Sequence, residues 1–195
     1  MLRLSWVAVL LPVVLMPATV LAQVPERYGF WFGGGAAVTL GNVRIGDDAT
    51  AIIDARKPGP SAFLSIGGTL SRTVLLGVDV AGWTRSGSDT TRTFGMITFG
   101  ATLFPVRQFP LYLKGGFGVG TYQETAGTDR YDANGFGMHF GVGAEFRVAP
   151  TLHVGPYVQY AFSRENVKRN QLTIFSQLDI DLLSAGVGVR WHRSR

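Results

Sequence analysis

Asp79, Lys114, His139, Glu145, Arg147, His153 and Arg190 are the side chains of this sequence best placed to do chemistry together. They stand in glycine-rich stretches that are otherwise poor in charge. Charges gathered on one enclosed surface must pair, because an unpaired buried charge is costly. Such a set can serve as a gated or proton-conducting path, or as a static plug of ion pairs. Catalysis by a Ser–His–carboxylate set has no local motif to support it. Metal chemistry is not indicated either, since the histidines lack ligand spacing and there is no cysteine. Gly33-Gly34-Gly35 is not followed by the Lys and Ser/Thr of a phosphate loop, nor by a helix. No catalytic residue, metal ligand or cofactor is expected.

The elements carrying these residues are extended. From Phe136 to Val148, residues Phe136, Met138, Phe140, Val142, Ala144, Phe146 and Val148 point one way, and Gly137, His139, Gly141, Gly143, Glu145 and Arg147 point the other. The same alternation sets Leu76, Val78 and Val80 against Gly77, Asp79 and Ala81. It recurs over Leu111–Gly120, Leu152–Ser163 and Gly186–Trp191. No apolar face carries a charge, as lipid contact requires, since Lys or Arg at the bilayer midplane costs about 2–4 kcal/mol. The glycine-rich faces suit a cramped barrel interior. Charged residues make up 16% of the chain, against roughly 25% in a typical soluble domain.

The N-terminus reads as an export address. Arg3 gives a basic n-region, Trp6–Met16 an apolar core, and Val20-Leu21-Ala22 a small-residue cleavage site. Residues 1–22 are therefore expected to be a cleaved signal peptide, and 23–195 the barrel domain, with strands within about 29–192. The net charge of +5 falls to +4 once Arg3 is removed. No basic run with interleaved aromatics appears, so nucleic acid is not an expected partner.

Eight strands are predicted: Gly29–Leu40, Ser61–Ser71, Val74–Arg85, Arg92–Phe104, Leu111–Glu124, Asn134–Val148, Leu152–Arg164 and Phe175–His192. Short connections alternate with longer polar ones, as in outer-membrane barrels. The expected fold is all-β, an eight-stranded antiparallel up-and-down transmembrane β-barrel. In the last strand Leu178, Ile180 and Leu182 lie on the opposite parity to Leu183, Val187 and Val189. A bulge near Leu182-Leu183 reconciles them, or else Asp179 and Asp181 face outward above the membrane. Phe30, Phe32, Phe104, Phe109, Tyr160, Phe162 and Trp191 are expected to form interfacial girdles.

A leader, eight alternating glycine-rich strands and a terminal GVGVRW strand resemble the small outer-membrane β-barrel family of OmpA/OmpX type. The resemblance covers essentially all of the mature chain. It implies an outer-membrane location and Trp191 as the aromatic signal read by the barrel-assembly machinery, with His192-Arg193-Ser194-Arg195 following it. Lipid A deacylase barrels carry a His with a Ser two positions later, whereas here His139 and His153 are followed at that spacing by Gly141 and Gly155.

Inside the barrel a Lys114–Glu145 ion pair is expected, extended by Arg147 and Asp79, with Arg190 on the same interior parity. The plug is favoured over the conducting path because eight-stranded interiors are normally filled. Outside, Arg164, Lys168 and Arg169 make the last loop basic and suited to lipopolysaccharide phosphates, with a solvated loop as the plainer reading. The expected partners are outer-membrane lipid and lipopolysaccharide, and the expected state is a monomer. The role is structural or in membrane integrity, with surface binding through the loops. The alternatives are a soluble periplasmic lipocalin-like carrier of a small apolar ligand, which needs the apolar faces turned inward, and a narrow ion-conducting barrel.

Overall fold

Period-two patterning leaves the backbone one way to satisfy its polar groups, by pairing every strand with a neighbour until the sheet closes. A computed structural model describes residues 27–45, 52–87, 90–106, 109–127, 129–169 and 172–193. The expected signal peptide, residues 1–22, lies outside the described residues. The strands are β1 (Phe30–Ile45), β2 (Ile52–Ser71), β3 (Val74–Ser86), β4 (Thr90–Leu103), β5 (Leu111–Ala126), β6 (Asp129–Ala144), β7 (Phe146–Ala149), β8 (Leu152–Arg169) and β9 (Leu172–His192). β6 and β7 are two parts of one stave, broken at Glu145, whose N–H bonds to Pro110 O at 2.9 Å. Each stave pairs antiparallel with its chain neighbours, and β1 pairs with β9 to close the ring. The result is a closed eight-stranded antiparallel barrel.

The apolar parity faces outward, which overturns the lipocalin-like arrangement. Leu64, Ile66, Val80, Ile97, Phe99, Phe117, Val119, Phe136, Phe140 and Val187 are all exposed. A wall this apolar is at home in hydrocarbon and not in water. The opposite parity packs inside, and glycine there makes room for neighbours. A Cβ on Gly35 would come within 2.6 Å of the Phe63 ring, so the Gly33–Gly35 run is an interior packing feature.

The outer connections are shorter than expected because the strands continue through them. β1 runs to Ile45, β2 starts at Ile52, and β5 and β6 stay paired out to Ala126↔Asp129. The β5 and β6 extensions are mostly polar, and Val43 is the one large apolar residue of Gly41–Arg44, so little hydrophobic alternation is left to read. They raise the barrel wall above its apolar band.

No bulge interrupts β9 near Leu182: register runs unbroken through Gly41↔Leu182 and Leu40↔Leu183. Leu178, Ile180 and Leu182 are buried inside, and Asp179 and Asp181 lie on the outward parity. The surrounding medium changes along the strand while the backbone does not. Phe104 also departs from expectation. It is buried, packing with Trp31, Leu75 and Tyr112 in the inner mouth of the barrel, and forms no part of a girdle. Phe32 and Trp191 do pair on the outside, with ring centroids 5.1 Å apart.

Candidate functional site

The lumen is filled in layers. At its inner mouth Arg27, from the segment before β1, is buried with its guanidinium 3.3 Å from the Phe104 ring centroid. Arg27 Nε lies 3.8 Å from Glu145 Oε2, and Arg190 Nη1 contacts Glu145 Oε1. His153 and His192 stand beside them with ring centroids 5.0 Å apart.

The next layer centres on Asp79. Lys114 Nζ donates to Asp79 Oδ1 at 2.6 Å, and Ser65 Oγ donates to the same oxygen. His139 Nε2 lies 3.9 Å from Asp79 Oδ2, and its Nδ1 is 3.2 Å from Thr98 Oγ1. The Lys114 ammonium also sits 4.8 Å from the Phe63 ring centroid, and Phe63 meets Tyr157 edge-on at 5.2 Å.

The expected Lys114–Glu145 pair does not form. Both residues are inside, but the ladder sets Lys114 opposite Gly141 and ends at Leu111↔Ala144. Glu145 therefore falls below Lys114, at the mouth, and each finds a different partner. Asp79, expected as an extension of the network, is the centre of its own cluster. Arg147 is half-buried opposite His153 and makes no ion pair among the described residues. Arg27, Ser65, Thr98 and His192 were missed by sequence reasoning. Arg27 stands before the first strand with no periodicity to place it, and the hydroxyls reach the cluster only through barrel curvature.

Above Thr39, whose Oγ1 is 2.6 Å from Ser61 Oγ and 2.7 Å from Ser184 Oγ, the lumen turns apolar. Val43, Trp83, Phe94, Met96, Tyr122, Leu178, Ile180 and Leu182 form a buried cluster drawn from strands around the barrel. Two internal cavities, of about 20 and 30 Å³, lie below this cluster and against it. Arg92 and Glu124 pair beyond it, with Nε–Oε2 at 3.1 Å, and Tyr122 Oη donates to Glu124 at 2.7 Å. The polar inner half thus meets a mainly apolar layer, beside which Ser163 is buried and donates to buried Glu165 at 3.0 Å.

Thr98, His139 and Asp79 follow the order of a hydroxyl–imidazole–carboxylate relay. All three are buried, and neither of these two cavities is lined by Thr98. Among the described residues no group of three or more His, Cys, Asp or Glu is placed to hold a metal ion.

The outer rim carries a second set of charges. Going up the wall, Phe162 gives way to Arg164, Leu183 to Asp181 and Leu40 to Arg44. Arg164 Nε pairs with Asp179 Oδ1 at 3.1 Å, Arg44 with Asp181, and Tyr160 Oη donates to Asp181 Oδ1 at 2.6 Å. Arg164 is thus on a strand wall and not in a loop. The backbones of Lys168 and Arg169 extend β8, but their side chains lie outside the described residues.

A lipid-facing apolar wall, a filled lumen and an antiparallel ring of eight staves are now joined by a sequence-level match. The profile of the outer membrane protein beta-barrel domain matches residues 8–191. The chain belongs to the outer membrane protein β-barrel domain family. This outer-membrane barrel is similar to neisserial surface protein A, with a TM-score of 0.58 and 18% identity, over 85% of this chain and 97% of that one. OprG from Pseudomonas aeruginosa gives a TM-score of 0.49 at 12% identity, covering 86% of this barrel and 98% of that chain. Ail of Yersinia pestis gives 0.47 at 13%, covering 83% and 99%. No curated protein sequence matches the barrel.

Proposed function

We propose that this barrel is an integral outer-membrane protein with a structural role in membrane integrity, seated in the outer leaflet by its charged rim. The observation that carries the reading is the abrupt change on adjoining strands from Leu40, Phe162 and Leu183 to Arg44, Arg164 and Asp181. That change falls where hydrocarbon would give way to headgroups. Lipopolysaccharide headgroups carry phosphates for the arginines and bridging divalent cations for the carboxylates, so a mixed-sign belt complements both. Trp191, near the end of β9, is the proposed aromatic for the barrel-assembly machinery, and the protein acts as a monomer.

Recovery from the outer-membrane fraction, with a change in gel mobility on boiling in detergent, is the expected result. Trp191→Gly should lower the heat-modifiable fraction. A soluble periplasmic product with no mobility change would end this reading. A loss-free Trp191→Gly would remove the assembly role alone.

The filled lumen supports a plug over a conducting path. The layer of Trp83, Phe94, Met96 and Leu182 fills the lumen with large apolar side chains, and ions do not cross apolar constrictions readily. Planar bilayers containing the barrel are expected to stay silent at moderate voltage. Trp83→Ala together with Met96→Ala should produce small conductance steps. Steady conductance by the unaltered barrel would favour the channel reading.

A further inference from the structure

Among the described residues, the inner mouth of the barrel buries more positive charge than negative. Arg27 and Arg190 share the single carboxylate of Glu145, and the three side chains are 1%, 9% and 6% exposed. Arg147, half-buried on β7, adds a further cation. The other carboxylate of this half, Asp79, is taken by Lys114 at 2.6 Å and offers the mouth nothing. Burial lowers the Arg27 pKa to about 10 although Glu145 pulls it back up, so the guanidinium is a cation at neutral pH.

Donors are in surplus as well. Arg27 Nε and Nη2, Trp31 Nε1 and the ring nitrogens of His153 and His192 are buried with no hydrogen-bond partner among the described residues, as is one acceptor atom of the mouth, Glu145 Oε2. Each imidazole carries at least one N–H. Arg190 lies over the Trp31 ring at 4.8 Å and over Tyr112 at 5.6 Å, which gathers these groups around one place. Beside them is a cavity of about 20 Å³ whose wall includes Ser65, Tyr112, Glu145, His153 and Arg190. A cavity of that size takes one water-sized particle.

We propose that this mouth binds one small monovalent anion of halide size. Arg190, His153 and the hydroxyl of Tyr112 line its seat, and Arg27 supplies the charge that Glu145 leaves uncompensated. A metal cation does not suit the paired histidines here, because the arginines repel it. Water satisfies donors but cancels no charge, and a buried uncompensated charge is the larger penalty. Glu145, on the same wall, is held between the two guanidiniums, which limits its repulsion of the guest.

The test uses the barrel purified from membranes in detergent, with bromide as the probe. Crystals grown in sodium bromide should show an anomalous peak beside Arg190 and His153. Melting should occur at higher temperature in bromide than in gluconate at equal ionic strength, and Arg27→Gln should abolish that difference. If Arg27→Gln does not fold, the bromide peak in the unaltered protein decides alone. Absence of the peak, equal melting in both salts, or a bromide effect retained by a folded Arg27→Gln variant would each overturn the proposal.

Discussion

Asp79→Ala is expected to destabilise the barrel by about 3–5 kcal/mol, the usual cost of stranding one member of a buried ion pair. The Lys114 ammonium, 2.6 Å from Asp79 and 9% exposed on its side chain, would be left inside the barrel without a counter-charge. Ser65 Oγ would lose its acceptor in the same step. The paired change Asp79→Leu with Lys114→Met removes both charges and should restore most of that loss, since apolar replacements of buried pairs are often neutral or better. Urea titration of the refolded barrel, read as the fraction that keeps its unboiled gel mobility, measures both variants. Equal destabilisation by the single and the double change would reject the electrostatic account and leave packing as the cause.

Phe99→Arg should cost about 2–4 kcal/mol, whereas Thr93→Arg on the same strand and parity should cost no more than about 1 kcal/mol. Phe99 is exposed on the lipid-facing wall, paired across the ladder with Val78 and Phe117. Thr93 is also exposed but lies beyond Ile97, where the outward residues have become polar. The difference comes from depth, since an arginine at the rim can reach headgroups and one in mid-band cannot. Equilibrium folding into phospholipid vesicles gives the two numbers on one scale. Equal costs would mean that the hydrocarbon edge is not where the wall changes character. A soluble barrel would accept both arginines readily, so the pair also discriminates the media.

The alternation over Phe136–Val148 was sufficient to establish which residues face out and which face in, because a strand has only two sides. Eight such stretches, none with a charge on its apolar face, left closure in lipid as the available architecture. The interior position of Asp79, Lys114, Glu145 and Arg190 followed from the same parity.

The partners did not. Which carboxylate meets Lys114 depends on how far each stave is shifted against the next around a tilted barrel, and that stagger is a property of the closed ring. The break at Glu145 lowers that residue to the mouth, where Arg27 and Arg190 take it. The outer strand extensions were hidden for a different reason. With water outside and Gly, Asn, Arg, Thr and Asp at most of these positions, little contrast is left from which to read an extended chain. In β9 the change at Leu182 looked like a bulge because parity was read against a single medium. The barrel stands partly above its apolar band, and Leu178 and Ile180 find their apolar surroundings inside.

By itself, then, the sequence determined which stretches cross the apolar band as strands and which way those stretches face, because these depend on neighbours along the chain. The ion-pair partners, the apolar outer plug and the cationic mouth were decided only by the tertiary structure, since they depend on side chains that meet across the lumen from strands far apart in sequence.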